Sequence, residues 1–341
     1  MDKIRLGRTN LLVSKSGFGA LPIQRVSFDE AGPILRKAYD NGINFFDTAR
    51  SYTDSEEKIG RTLSDVRQNI IIATKSPAKD KKTLLDNLNV SLDKLKTDHV
   101  DIFQLHNPAD LPDPEDPDSL YAGLLEAKKQ GKVRFIGISN HSIEKAIKAA
   151  ESGFYDTVQF PLNALSSDED LKLINVCKEK DIGVIAMKAL SGGLLSNAAV
   201  AFAFLRQYDN VVPIWGIQRM EELDEFIALE QNPPMMNEEM WKLIQKDRLE
   251  LSGKFCRSCG YCMPCPTGIQ IREAARISLL LKRSPYQRFL QESFREKMDL
   301  INNCTGCGRC KKKCPYGLDI PNLLKQELKK YYEFYNAHKN I

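Results

Sequence analysis

Asp47, Tyr52, Lys75 and His106 are the residues of this 341-residue chain whose types and spacing could do chemistry together. Asp47 follows the short, mainly apolar stretch Ile43 to Phe46, and Tyr52 follows on the loop beyond it. Lys75 ends Ile70-Ile71-Ile72-Ala73-Thr74, and His106 ends Val100-Asp101-Ile102-Phe103-Gln104-Leu105. A free phenol, with a pKa of about 10, holds its proton at neutral pH. An ammonium beside it favours the phenolate and eases proton transfer, and a carboxylate fixes that ammonium. Such a set suits general acid catalysis at an oxygen gaining negative charge, with an imidazole to orient or assist. Each residue alone has a plainer use: Asp47 as a helix cap, Lys75 in solvent, His106 as a hydrogen-bonded core histidine. Their joint placement at the ends of three successive strand-like runs favours the chemical reading.

A second constellation lies near the C-terminus. Cys256, Cys259, Cys262 and Cys265 form CxxCxxCxxCP, and Cys304, Cys307, Cys310 and Cys314 form CxxCxxCxxxCP. The second spacing is that of bacterial ferredoxins, and the first is one residue short before its last cysteine. Three thiolates on one tight loop plus a distant fourth suit a cubane 4Fe-4S cluster. Zinc is the alternative, but its four-coordinate sites use paired CxxC knuckles and do not need a third cysteine in step. The ninth cysteine, Cys177, falls in a predicted helix and is most simply a small core residue. Residues 251–341 carry a net charge of +10 against −6 for the rest. Cations offset the negative charge of thiolate clusters and could receive a redox protein partner, a reading favoured here over nucleic acid.

These residues need elements to position them. Strand signals fall at 16–20, 43–46, 70–74, 100–105, 133–138, 157–160, 183–186 and 211–215. Helical patterns lie between and after them near 28–41, 54–64, 80–96, 117–130, 142–152, 168–180, 196–207 and 219–229. Eight alternations of short apolar strand and helix predict an α/β fold, a (β/α)8 TIM barrel, whose catalytic residues sit at the carboxyl ends of the strands. A hairpin over 3–13 precedes it. A doubly wound sheet is disfavoured, because Gly17-Phe18-Gly19 does not continue as GxGxxG. The Pro-rich loop 108–117 is a candidate lid or substrate wall. The βα rhythm stops after Gln231-Asn232-Pro233-Pro234, so the expected domains are 1–232, the barrel, and 233–341, a linker helix over 238–251 with a helical iron-sulfur region. The composition, 42% hydrophobic and 28% charged, supports a large core. No apolar run approaches the roughly 18 residues of a membrane span. The first residues lack a signal peptide's apolar region, so a cytoplasmic location with reduced cysteines is expected.

Leu6-Gly7-Arg8-Thr9, the Asn44 to Tyr52 stretch, Lys75, Leu105-His106-Asn107 and Ile136-Gly137-Ile138-Ser139-Asn140 together resemble the aldo-keto reductase family through about residue 230. The C-terminal segment resembles the two-cluster ferredoxin module appended to a subset of those reductases, of the helical kind found in respiratory iron-sulfur subunits. The resemblance implies an NAD(P)H-dependent enzyme reducing an aldehyde or ketone to an alcohol, with Tyr52 as proton donor tuned by Lys75 and Asp47. It also implies a nicotinamide site at Ser139, Asn140 and Gln159. Met187 stands where many members place a stacking aromatic. Lys188 and Ser191-Gly192-Gly193 could hold the pyrophosphate. Gly216, Gln218 and Arg219 match the adenosine-phosphate loop, while Glu222 and Phe226 replace the family's Gln and Asn, leaving NADPH against NADH open. Two-cluster ferredoxins exchange their fourth cysteines, which implies clusters on Cys256, Cys259, Cys262, Cys314 and on Cys304, Cys307, Cys310, Cys265. Clusters pass single electrons and a nicotinamide gives a hydride, so a direct relay calls for a flavin or another converter. An electron-transfer or redox-sensing protein, with a barrel that binds nucleotide but turns over little, is the alternative from another class.

Overall fold

The structure is a computed structural model describing residues 1–251, 255–283 and 286–338. Strands β1 (Lys3–Arg5) and β2 (Leu12–Ser14) form an antiparallel hairpin with Ile4 opposite Val13. Eight strands then close a parallel barrel in chain order: β3 (Gly17–Gly19), β4 (Phe45–Asp47), β5 (Ile71–Ser76), β6 (Val100–His106), β7 (Val133–Ser139), β8 (Thr157–Pro161), β9 (Gly183–Met187) and β10 (Val211–Gly216). The helices between and after them are Phe28–Asp40, Ser55–Leu63, Lys81–Leu95, Leu120–Lys129, Ile143–Glu151, Asp168–Glu179, Ala198–Arg206 and Met220–Gln231. This is the expected (β/α)8 TIM barrel. The helix starts are set by side-chain caps: Ser27, Asp80, Ser119, Ser142 and Ser167 each accept from the backbone N–H three residues on. The helix expected from residue 117 therefore begins only after Ser119.

Side chains alternate across each strand, so every second residue faces the barrel axis. Phe45, Ile71, Ala73, Ile102, Ile185, Val212 and Ile214 share one buried cluster with Ile4, Leu6, Leu11 and Val13 of the hairpin. The hairpin thus plugs the amino-terminal end of the barrel. Gly7 is required there: at φ +50° a Cβ would lie 2.2 Å from the Gly183 nitrogen. The plug is tied down by Arg5 paired with Asp181 and by Arg8 donating to the carbonyls of Gly153 and Tyr155.

Contacts divide the chain into two compact units, Met1–Ala189 with Ala198–Trp241, and Leu190–Asn197 with Lys242–Ile341. Helix Glu238–Glu250, at the place expected for the linker helix, runs into the second unit at Lys242, and the other α-helices described there are Ile271–Ala274, Ile277–Arg283, Glu292–Asp299, Arg309–Lys312 and Ile320–His338. The last is the longest helix described and buries Leu324, Leu328, Tyr331 and Tyr335 along one stripe. Tyr331 donates to the Phe289 carbonyl at 2.8 Å, and Glu327 accepts from the backbone and hydroxyl of Ser278. No helix among the described residues is long and apolar enough to cross a membrane.

Candidate active site and cluster module

The inward alternation that fills the barrel with apolar residues turns polar at its carboxyl end. After Phe45 the next inward residue is Asp47; after Ile71 and Ala73, Lys75; after Ile102, Gln104 and then His106. Strand register sets Lys75 beside Gln104, His106 beside Ser139, and Ser139 beside Gln159. Lys75 Nζ donates to Asp47 Oδ1 at 2.7 Å and to the Thr48 carbonyl at 2.6 Å, and both charged side chains are buried. Neither is the helix cap or solvated lysine of the plainer reading.

Backbone bonds hold the loop after β4 against β5, with Thr48 N–H on the Ala73 carbonyl and Arg50 N–H on the Lys75 carbonyl. A buried carboxylate braces the same loop: Glu56 accepts from Thr74 and is paired with Arg50. The loop delivers Tyr52 so that Lys75 Nζ lies 5.1 Å from its ring centre. The Tyr52 ring meets His106 edge-on at 5.8 Å between centroids, and Ser51 Oγ faces His106 Nδ1 at 3.2 Å.

Electrostatics follow from burial and from these neighbours. Burial pulls the Lys75 ammonium down, but Asp47 and Tyr52 outweigh it and hold its pKa above the ordinary value. Burial pushes the Asp47 carboxyl up, against the opposing pull of Lys75 and Gln159. Burial, then the Lys75 charge, press His106 down to about 3, so its imidazole is neutral across the physiological range.

Two inward residues escaped the sequence reading. Gln104 donates to Gln159 Oε1 at 2.8 Å, and Gln159 Nε2 lies 3.4 Å from Asp47 Oδ1, extending the Asp47–Lys75 pair into an amide chain. Gly137 makes room for it, since a Cβ there would sit 2.2 Å from Thr157 Oγ1 and 3.1 Å from Gln104. Gln104 was detectable: it stands two residues before His106 on the same face of one strand. The other residue is His141, buried just beyond Asn140, with a pKa lowered by burial, then by Lys188 and His106. Its backbone N–H donates to Asn107 Oδ1.

The remaining expected cofactor residues fall as follows. Ser139, Asn140 and Gln159 are buried together, the Asn140 N–H donating to the Gln159 carbonyl at 3.0 Å. Neither Ser139 nor Asn140 caps the following helix; Ser142 does, and Asn140 Oδ1 accepts from the Ser142 N–H. A hydroxyl and two amides in neighbouring register are donor and acceptor groups of the kind that suit a neutral carboxamide such as that of nicotinamide. Met187 ends β9 half-buried, and Lys188 follows at φ +58°. Ser191, Gly192 and Gly193 group with the second unit, where the Gly192 carbonyl accepts from Arg276 Nη2 at 3.0 Å. Gly216 is exposed at the end of β10, and Gln218 follows on the loop. Arg219 does not stand free: its guanidinium is 2.8 Å from Glu222 Oε1, and the other oxygen of that carboxylate accepts from the N–H groups of Gln218 and Arg219. Phe226 stacks on Trp215 at 4.4 Å, which accounts for an aromatic at that helix position.

In the second unit all eight expected cluster cysteines are free thiols. A small cavity open to solvent is lined by Cys265 together with Cys304, Cys307 and Cys310, and also by Cys262. Cys314 does not line it. Thiols of both runs therefore line one space, a donor chemistry that suits a thiolate-ligated cluster, with Cys262 and Cys265 of the first run both beside the second. Among the described residues no three or more ligating side chains group as one metal ion would need. The two runs also meet where Arg257 packs between the rings of Phe255 and Tyr316 at 4.8 and 4.7 Å. Cys177 is fully buried in its helix, its thiol pushed up to about 12, consistent with a core residue.

Comparison with known proteins adds the lineage. A model described as "Aldo/keto reductase family" matches residues 15–201, and one described as "4Fe-4S dicluster domain" matches 255–319. Among curated relatives, L-galactose dehydrogenase of Arabidopsis thaliana is 31% identical over 58% of this chain and 69% of its own length. Methylglyoxal reductase DkgB of Salmonella typhi is 34% identical over 50% of this chain and 65% of its own. The matched region is about two thirds of the relatives' length. The solved aldo-keto reductase AKR11C1 from Bacillus halodurans, in its holo form, superposes with a TM-score of 0.61 over 72% of this chain and 96% of its own, at 22% identity, a likeness of fold. With a closed barrel and these matches, the chain belongs to the aldo/keto reductase family and is an oxidoreductase bearing a C-terminal iron-sulfur domain.

Proposed function

We propose that this chain is an NAD(P)H-dependent reductase that converts a small aldehyde or ketone to its alcohol and carries two 4Fe-4S clusters. The observation that supports it most is the Lys75 ammonium, fixed on Asp47 at 2.7 Å and set 5.1 Å from the centre of the Tyr52 ring. When bound, the nicotinamide supplies a hydride. Tyr52 supplies the proton to the oxygen that becomes the hydroxyl, and Lys75 stabilises the phenolate left behind. His106 acts as a neutral hydrogen-bond donor: with Nδ1 facing Ser51, Nε2 is the nitrogen left to hold a carbonyl oxygen. Ser139, Asn140 and Gln159 hold the carboxamide, with Met187 as its apolar neighbour, and Lys188, Gly216, Gln218 and Arg219 serve the phosphates and ribose. The relatives' names point to small hydroxylated or dicarbonyl compounds. A panel including methylglyoxal and aldoses, run with both nicotinamides on anaerobically reconstituted protein, tests the reading; turnover with none of them favours the electron-transfer alternative.

The state of His106 gives a pH expectation. In the unfolded chain an imidazole takes up its proton as pH falls through about 6.5, whereas in the folded protein His106 waits until about 3. Protonation therefore favours the unfolded state, and stability falls as pH drops from about 6.5 toward 3. Nitrogen NMR of the His106 ring should show no titration between pH 8 and 5. An imidazolium appearing near pH 6.5 would remove the neutral-donor role.

Cofactor choice turns on Arg219. A 2′-phosphate must compete with the Glu222 carboxylate for the same guanidinium, whereas a 2′-hydroxyl need not. We expect Glu222→Gln to raise NADPH affinity relative to NADH by about tenfold, the worth of one charge-assisted hydrogen bond of roughly 1.5 kcal/mol. Dissociation constants from nucleotide fluorescence decide it. A parallel change for both nucleotides would place the 2′-phosphate elsewhere.

A further inference from the structure

We propose that the loop carrying Cys307 and the cations that follow it form the docking surface for an acidic one-electron carrier protein, an inference that rests on the cluster reading above. Of the eight cluster cysteines only Cys307 is exposed, together with Thr305 and Gly306 beside it, whereas Cys256 of the other run is buried. Exposure of one ligand loop decides where electrons can cross, since a carrier has to bring its own centre close to the cluster. Gly306 and Gly308 lie at φ +66° and +70°, and a Cβ on either would meet nothing within 4 Å. A partner can therefore approach the main chain itself.

The charge around this loop has one sign. Arg309, Lys311, Lys312 and Lys313 are all exposed, and no Asp or Glu occurs anywhere in 300–318. Only Lys311 pairs with a described residue, Asp319, and at 3.5 Å. Arg309 lines the cluster cavity, which leaves three exposed lysines on and after one short helix beyond the cation that faces the thiols. A surface of this kind steers an oppositely charged protein and fixes its orientation. Nucleic acid is the competing polyanion, but single strands need an aromatic platform for their bases. Tyr316, the aromatic that follows this loop in sequence, has the Arg257 guanidinium over its ring at 4.7 Å. In the exchange the reduced carrier loses one electron and the cluster gains one, with no bond made or broken and no proton moved.

The test uses full-length, anaerobically reconstituted protein with an acidic plant-type [2Fe-2S] ferredoxin as probe. Calorimetry gives the dissociation constant at low and at physiological salt for the native protein and for Lys311→Glu/Lys312→Glu/Lys313→Glu. Iron and sulfide are assayed on the same samples. Native protein should bind the ferredoxin with an affinity that falls tenfold or more as salt is raised, and the charge-reversed variant should lose at least tenfold at low salt with its iron retained. Should the variant fail to load clusters, the salt series on native protein and a Lys312→Gln/Lys313→Gln variant carry the same comparison. Salt-independent binding, or unchanged affinity in a cluster-bearing variant, overturns the docking surface while leaving the clusters standing. Absence of iron from native protein overturns the cluster reading instead. Tighter capture of a single-stranded oligonucleotide than of ferredoxin, lost in the variant, overturns the carrier in favour of nucleic acid.

Discussion

Tyr52→Phe is expected to lower turnover by about 10²–10⁴-fold, the usual contribution of a positioned general acid, while nucleotide affinity stays within a factor of two or so. The phenol is the only group of the four that combines a transferable proton with a neighbouring fixed ammonium. Removing its oxygen leaves Lys75, Asp47 and the amide chain through Gln159 and Gln104 in place, so the barrel end keeps its shape. Lys75→Met should be comparably severe for a different reason. It removes the cation that stabilises the phenolate and leaves Asp47 buried without its partner, which also destabilises the fold by roughly 3–5 kcal/mol. Steady-state rates, nucleotide titration and thermal melts on the two variants separate these effects. A Tyr52→Phe loss smaller than about tenfold would sink the proton-donor assignment, because His106 would then have to supply the proton.

The second large effect concerns the clusters. Cys265 lines the cavity of Cys304, Cys307 and Cys310, as does its neighbour Cys262, while Cys314 lies outside it. Cys265→Ser should therefore disturb the cluster on the 304–310 loop, and Cys314→Ser the one on the 256–262 loop, each variant losing up to half the iron. Burial raises the Cys265 thiol, but hydrogen bonds from Thr267 and Ile269 and the charge of Arg309 outweigh it and lower its pKa, whereas burial raises the Cys262 and Cys310 thiols. Arg309 belongs to the second run, so even the charge beside Cys265 comes from the loop whose cluster it serves. Electron paramagnetic resonance of the reduced variants distinguishes the two signals. If Cys314→Ser perturbs only the 304–310 signal, each run keeps its own fourth ligand and the crossing is wrong.

How much of this was legible in the chain depends on the kind of signal. Asp47, Lys75 and His106 could be read because each ends an apolar run, and in a parallel barrel that position faces the open end. Gln104 was passed over because a glutamine inside an apolar run looks like an interruption; only the two-residue period ties it to His106. The helix Ile320–His338 was passed over because its stripe of Leu324, Leu328, Tyr331 and Tyr335 is diluted by lysines and follows the conspicuous cysteines. The partnership of Arg219 with Glu222 was within reach as an i,i+3 pair at a helix start, but family resemblance drew the arginine toward a phosphate instead. Backbone closures such as Arg50 on Lys75 and Asn140 on Gln159 have no sequence signal at all, since any residue can make them.

The hairpin that plugs the barrel carries a consequence for synthesis on the ribosome. Ile4, Leu6, Leu11 and Val13 emerge well before Ile185, Val212 and Ile214, against which they rest, and Arg5 finds Asp181 only 176 residues later. At roughly 5–20 residues per second, that leaves the apolar plug without its seat for about 10–40 s of translation. A nascent chain halted before β9 should therefore display this first segment to chaperones or proteases, and one released after β10 should hide it. Limited proteolysis of arrested chains would register the moment of closure as the disappearance of a single cut near the amino terminus.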